Sequence, residues 1–317
     1  MKKGIFLLVA LVISIVGCSK DDSGPAAEVF VTCAEGGDEN VGVINGTVVG
    51  RNSPLAKSLV FVVQRVRGGA TICTGSLVDS NIILTAAHCV DEAKEIEDVE
   101  IWFSPQPVCD LENKSVDRKK ADEVIVHRGY QGSSRRIQDD LALVRISGAA
   151  PSGKRTMKLA NEFLKMSPRS EIYVAGYGKT KEYDVEDKND PLLRYTKVKP
   201  LDTERGSNDE SSSVLFLDQS GGSSVCAGDS GGPAMMRDPK GILRQIGVAS
   251  YVFNPADPDA ACSYGVAYTS VTKYKDWIQT VYKTLANQYT LGKTNPSAPF
   301  EELPRAELPP RELTPNP

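Results

Sequence analysis

The chain has 317 residues, enough to bury a substantial core in one large domain or two small ones. Its 37 basic and 41 acidic side chains leave a net charge of −4, so no global field favours nucleic acid or an anionic membrane surface as a partner. Hydrophobic content of 40% and charged content of 25% are those of an ordinary globular protein, and the body of the chain is expected to fold.

Lys2 and Lys3 precede an apolar run from Ile5 to Val16, which is shorter than the roughly 20 residues that cross a bilayer as a helix and fits a signal peptide. The run ends in Ile15-Val16-Gly17-Cys18, which resembles the bacterial lipobox. That resemblance implies a signal peptide over residues 1–17 and lipid on Cys18. Cleavage by the ordinary signal peptidase, or an uncleaved anchor, would instead leave Cys18 without a chemical role. Of the seven cysteines, lipidation of Cys18 leaves an even set: Cys33, Cys73, Cys89, Cys109, Cys226 and Cys262. Export makes disulfides among these chemically allowed. Ser19-Lys20-Asp21-Asp22 is similar to the polar leader that sends some lipoproteins to the outer membrane or cell surface. The expected location is therefore the bacterial envelope through a lipid anchor, with plain secretion as the alternative. With no Cys-x-x-Cys spacing and only two histidines, a zinc site is not expected.

Residues 18–42 are polar and Gly-rich without a sustained period and read as tether or propeptide. Apolar runs of strand length then recur between Val43 and about Ser270: residues 59–63, 82–84, 99–103, 124–126, 141–146 and 172–174. Turn residues separate them, and hardly any helical period is present. Many short strands over some two hundred residues argue for an all-β sandwich or barrel, and that length suggests two barrels. One helix is expected late, over Val271 to Tyr282, where Tyr274, Trp277, Ile278 and Val281 form an apolar stripe. Residues 288–317 hold seven of the nineteen prolines and no apolar period, and are expected to be a disordered tail.

The stretch Cys226-Ala227-Gly228-Asp229-Ser230-Gly231-Gly232-Pro233 carries the clearest chemical signal. A serine framed by glycines can expose its hydroxyl on a tight turn while neighbouring N–H groups converge on one point. Such a hydroxyl needs a base, and the chain offers only His88 and His127. His88 is the candidate, at the end of a strand in Leu84-Thr85-Ala86-Ala87-His88-Cys89, beside a cysteine that a disulfide to Cys73 would fix. His127 follows Val124-Ile125-Val126 and is expected to have a structural partner.

These stretches together resemble the trypsin/chymotrypsin-type serine proteases over Val43 to about Leu285. Cys73-Thr74-Gly75-Ser76-Leu77-Val78 with Leu84 to Cys89 is similar to the family's histidine motif, and Asp139-Asp140-Leu141-Ala142-Leu143-Val144 to its aspartate motif. Val174-Ala175-Gly176-Tyr177-Gly178 is similar to its Ala-Gly-Trp-Gly turn, Cys226 to Pro233 to its serine motif, and Trp277-Ile278 to its C-terminal helix. The order His, Asp, Ser separates this family from others that build the same triad. The resemblance implies two six-stranded antiparallel β-barrels with the active site between them, and a protease domain over residues 43–287. It implies Ser230 as nucleophile, His88 as base, Asp140 as its orienting acid, and an oxyanion hole from the N–H groups of Gly228 and Ser230. Asp139 should point elsewhere. No metal or organic cofactor is required, the partners are protein or peptide substrates, and a monomer is expected. A protease-like scaffold without turnover would be favoured by loss of a triad residue, and none is lost.

Pairs Cys73–Cys89 and Cys226–Cys262 match family disulfides, while two others common in animal members have no counterpart. Cys33 and Cys109 are left to pair by elimination. Val43-Ile44-Asn45-Gly46 resembles the family's mature N-terminus, which implies cleavage after Gly42 and a new amino group paired with Asp229. No Lys or Arg precedes Val43, so a trypsin-like activator is not expected. The same resemblance implies that Ser224, Val225, Ser250, Tyr251, Val252 and Val266 correspond to the walls of the family's primary pocket. A neutral Ser224 where trypsin-like members have an acid, with valines where open pockets have glycine, implies an elastase-like preference for small aliphatic side chains. Residues 206–224 and 253–261 are read as altered loops around the cleft.

Overall fold

The structure is a computed structural model that describes residues 43–93, 95–133, 136–179, 191–201 and 208–289. The expected signal peptide, Cys18, the tether with Cys33, and residues 290–317 of the expected tail lie outside the described residues. In chain order the elements are β1 (Thr47–Val48), α1 (Pro54–Ser58), β2 (Leu59–Val66), β3 (Gly69–Asp79), β4 (Ile82–Thr85), β5 (Val99–Trp102), α2 (Pro107–Glu112), β6 (Arg118–Val126), β7 (Gln131–Ser133), β8 (Arg136–Gln138) and β9 (Ala142–Ile146). The second half adds β10 (Ile172–Gly176), β11 (Arg194–Pro200), β12 (Val214–Asp218), β13 (Pro233–Arg237), β14 (Leu243–Phe253), β15 (Gly265–Ser270) and α3 (Lys275–Tyr289).

Strands β2, β3, β4, β9, β6 and β5 close into one antiparallel barrel, the last seam being β5 on β2 with Phe61 opposite Trp102. In the other half β11, β10, β13, β14, β15 and β12 form the second ring. It closes where β12 meets β11 at Lys199↔Asp218 and Pro200↔Leu217, and β1 adds outside on β11. Both barrels are six-stranded, as the resemblance implied.

The residues of β2 explain how the two halves meet. Leu59 to Val63 are all buried, an unbroken apolar run that a one-sided strand would not need. Val60 and Val62 point into the first barrel with Ile83 and Leu143. On the other face, Leu59, Phe61 and Val63 pack with Tyr177, Leu193 and Met235 from the second half. Each such buried side chain contributes roughly 1.5–3 kcal/mol. Tyr177 meets Phe61 edge-on at 5.2 Å between centroids, and its hydroxyl donates to the Ser104 carbonyl at 2.8 Å, so this buried phenol is satisfied.

Helix α3 returns to the first barrel. Ile278, Val281, Tyr282, Leu285 and Ala286 recur at helical spacing and join its core, with Tyr274 and Trp277 at the margin. The helix starts later than the apolar stripe suggests, because residues 271–274 form a turn, across which Tyr274 N–H donates to the Ser270 carbonyl at 3.3 Å. It also runs to Tyr289, two residues into the expected tail. The short helices α1 and α2 escaped the sequence reading: five and six residues carry too little period to register, although each has proline in its first turn, where a fixed φ favours helix. Among the described residues no helix is long and apolar enough to cross a membrane.

Candidate active site

His88 lies in a single helical turn, Ala87–Cys89, directly after β4. Cys89 is bonded to Cys73 of β3, which ties this turn to the neighbouring strand. Asp140 stands just ahead of β9, and its carboxylate meets His88 twice: Oδ2 lies 2.7 Å from Nδ1, and Oδ1 accepts the His88 backbone N–H at 3.0 Å. Ser250 Oγ donates to the same Oδ2 at 2.6 Å, and Thr269 Oγ1 donates to the Asp140 carbonyl at 3.0 Å. Asp140 is 1% exposed, so its charge is held by these donors rather than by water. Burial works against an imidazolium at His88, but the hydrogen bond and charge of Asp140, with Asp91 beyond, outweigh it and raise the pKa above its ordinary value. With Nδ1–H committed to Asp140, the neutral ring keeps Nε2 as its acceptor.

Ser230 sits between two turns that only glycine accommodates well. Gly228 has φ 99° and Gly231 has φ 78°. A Cβ on Gly231 would come within 2.3 Å of the Thr74 carbonyl and 3.1 Å of the Ala86 nitrogen, so the serine turn presses against the strand ends that carry His88. Thr74 N–H donates to the Ser230 carbonyl at 2.8 Å, Thr74 Oγ1 donates to the Gly228 carbonyl at 3.0 Å, and Thr85 Oγ1 donates to the Thr74 carbonyl at 2.9 Å. Among the described residues the N–H groups of Gly228 and Ser230 have no protein acceptor. Disulfide Cys226–Cys262 braces the start of this turn. Cys109, on α2, is disulfide-bonded as well, and its expected partner Cys33 lies outside the described residues.

Asp229 is buried and accepts N–H groups of Gly178 at 2.8 Å and Cys226 at 2.9 Å. A Cβ on Gly176 or Gly178 would come within 2.3 Å of its oxygens, which explains the glycines of the Val174 to Gly178 turn. Burial pushes its pKa up to about 7, against the backbone bonds and the charge of Arg194. Val43 is buried in the second core, to which Val225 also belongs. Its neighbour Ile44 bridges to Ser224, whose N–H donates to the Ile44 carbonyl at 3.1 Å.

Of the expected pocket residues, Ser224, Val225 and Val266 are buried and Tyr251 and Val252 half-buried. Val252 lies directly opposite Val266 across β14 and β15, which puts both on one face. Ser250 is buried as well. A register shift lies between Ala249 and Tyr251, and the Ser250 hydroxyl is turned to Asp140. Sequence reasoning assigned no role to Thr74 or Thr269; the only available signal was their adjacency to recognised motifs.

His127 packs against the approach to α3 and its first turn. Its ring meets Tyr274 and Trp277 edge-on at 5.2 and 4.9 Å, and Asp139 faces it and Tyr274 rather than His88. The described residues contain one group of metal-ligand type, Cys73, His88 and Cys89, but both sulfurs are spent in the disulfide, leaving no thiolate for a metal.

Two six-stranded barrels meeting at a buried aspartate paired with a half-buried histidine, and at a glycine-framed serine, define the chymotrypsin fold. The trypsin family profile matches residues 48–278, and the chain belongs to that family, whose members are serine proteases, hydrolases acting on protein or peptide substrates. Phenoloxidase-activating enzyme 1 of Spodoptera litura is 30% identical over 234 residues, 68% of this chain and 60% of that protein. The venom peptide isomerase heavy chain of Agelenopsis aperta is 26% identical over 69% of this chain and 92% of its own length. Collagenase of Hypoderma lineatum is 30% identical over 65% of this chain and 75% of its own. The chain thus spans less than two thirds of the Spodoptera litura protein's length.

Proposed function

We propose that the chain is an exported serine endopeptidase that hydrolyses peptide bonds through an acyl-enzyme on Ser230. The observation that carries this reading is the 2.7 Å contact of His88 Nδ1 with Asp140 Oδ2, set on strands to which Thr74 ties the Ser230 turn. Ser230 Oγ attacks the scissile carbonyl as His88 Nε2 takes its proton. The tetrahedral oxyanion is received by the free N–H groups of Gly228 and Ser230, and His88 returns the proton to the leaving amine. Asp140 holds the imidazole tautomer and stabilises the imidazolium. Oxyanion donors of this kind contribute about 3 kcal/mol each to transition-state binding, enough to make both N–H groups matter. Ser230→Ala should abolish labelling by a fluorophosphonate and all peptidase activity; a variant that still turns over peptide at the parent rate removes Ser230 from this role.

The relatives' names range from a collagenase to a peptide isomerase heavy chain, so the substrate is argued from this chain's own pocket. Neutral Ser224 and the facing pair Val252 and Val266 favour a small aliphatic side chain before the scissile bond. Activation by cleavage after Gly42 is supported by the buried Val43 and by the buried carboxyl of Asp229, which a new α-amino group would pair. Lipid on Cys18 and an envelope location rest on the sequence pattern. Mass spectrometry tests these readings: lipid at Cys18 in the precursor, and an active chain beginning at Val43.

A further inference from the structure

Asp139, the neighbour of Asp140, has a left-handed backbone with φ 51°, which a non-glycine residue keeps only where its surroundings hold it there and which Asp and Asn tolerate best. Its carboxylate is enclosed on three sides. Tyr274 Oη donates to Oδ1, His127 Nδ1 lies 3.7 Å from Oδ2, and a Cβ on Gly129 would come within 2.2 Å of that same oxygen. Tyr274 is delivered by the turn that leads into α3. That helix is pinned to the first barrel by Tyr282 Oη donating to Asp79 Oδ2 at 2.9 Å and Arg145 Nη1 donating to the Leu285 carbonyl at 3.4 Å. Beyond Asp140, His127 N–H donates to the Leu141 carbonyl at 2.9 Å. The residue that meets His88 is therefore bracketed by contacts to its neighbours on both sides.

We infer that Tyr274 is a positioning residue: through its bond to Asp139 the C-terminal helix fixes the angle at which Asp140 meets His88. The inference rests on the reading of His88 and Asp140 as the base and its orienting acid. The charged and titratable groups concerned are Asp140 and Asp91 around His88, Asp91, Asp140 and Glu92 around Tyr130, Asp139 and Arg128 around His127, and Asp139 beside Tyr274, whose hydroxyl also meets the Ser213 side chain.

Tyr274→Phe keeps the ring against His127 and removes only the hydroxyl. With Asp140 less well aimed, kcat should fall about tenfold while KM stays within about twofold, the pattern of a misplaced catalytic group. The acid limb of kcat/KM should move to lower pH by about half a unit, because His88 loses part of the bond that favours its charged form. The far-downfield proton resonance of the His88 Nδ1–H should shift upfield. Asp139→Ala should give the same losses, and Asp139→Asn, which keeps an acceptor and tolerates the left-handed backbone, should recover most of them. An unmoved kcat and pH profile in Tyr274→Phe, or a lowered Tm with an unmoved pH profile, overturns the inference. If Tyr274→Phe does not fold, Gly129→Ala presses on Asp139 from the other side and should move the same readouts. Should the parent protein resist fluorophosphonate labelling, the reading of the site as a peptidase fails, and the His88 resonance in Tyr274→Phe still decides the positioning role in either direction.

Discussion

Thr74 Oγ1 donates to the carbonyl of Gly228 at 3.0 Å and accepts the N–H of Tyr177 at 3.1 Å, so one hydroxyl on the first barrel satisfies two backbone groups of the second. Thr74→Val keeps the shape and removes both bonds. Leaving a buried donor and a buried acceptor unpaired should cost about 2–4 kcal/mol, read as a lower urea midpoint. Because Gly228 is a proposed oxyanion donor, fluorophosphonate labelling of Ser230 should slow as well. Thr74→Ser should retain most of both properties. Equal labelling rates in parent and Thr74→Val would show that this hydroxyl does not order the serine turn.

Gly231 and Gly241 separate backbone strain from steric exclusion. Both have positive φ, 78° and 80°, but a Cβ on Gly241 meets open space whereas one on Gly231 strikes the Thr74 carbonyl. Gly241→Ala should cost only the conformational penalty of about 1–2 kcal/mol and leave activity unchanged. Gly231→Ala carries that penalty and must also push the Ser230 turn off the Thr74 strand, so it should abolish labelling and lower Tm much further. Similar Tm values for the two variants would show that the serine turn yields easily.

The readable parts of this fold were those where one residue type has one physical use. The unbroken run at β2, the stripe on α3 and the glycines around Ser230 each state their environment, and the histidine, aspartate and serine motifs fall where the strands deliver them. Short-range periodicity could not show that Ser250 turns its hydroxyl to Asp140, because that depends on a register shift in β14. Nor could it show that Thr74 joins the two barrels, since its partners lie 103 and 154 residues away. Helices of five or six residues such as α1 and α2 span too few turns to display a face.

Asp229 makes the stability of the single chain pH-dependent. Its folded pKa of about 7 lies above the ordinary 3.8, so between about pH 4 and pH 7 the unfolded chain gives up a proton that the folded chain keeps. The unfolded state then binds fewer protons, and stability falls as pH rises through that window, by roughly 4 kcal/mol in all. Pairing with a free Val43 amine would bring the Asp229 pKa down and remove the loss. His88, whose folded pKa is also raised, contributes stability that fades as pH rises through its folded pKa, but it does so in both forms. Melting the single chain and the chain cut after Gly42 between pH 4 and pH 8 should therefore give the steeper decline in the single chain, and Asp229→Asn should erase the difference. Parallel curves for the two forms would dismiss the proposed pairing.

The proposed preference for small side chains rests on a cross-strand pair. Val252 and Val266 face each other at the pairing of β14 with β15, flanked by Phe253 opposite Gly265. A one-residue slip would have set Gly265 opposite Val252; the observed register sets two β-branched side chains opposite each other, the pair proposed to narrow the slot. Forcing an aromatic ring against a rigid wall typically costs about 1–3 kcal/mol, or about 5- to 150-fold in kcat/KM. Ser224 adds no charge to draw a basic side chain. Across peptides that differ only in the residue before the scissile bond, cleavage should favour Ala and Val over Phe and Lys. Changing both Val252 and Val266 to Gly should raise kcat/KM for Phe relative to Ala by about 10- to 100-fold, since the wall and not the chemistry is altered. The double variant should leave Lys poorly cleaved, because enlarging the slot supplies no anion. A parent protein that prefers Lys or Arg would mean that a carboxylate elsewhere reaches the slot and that Ser224 does not define its base.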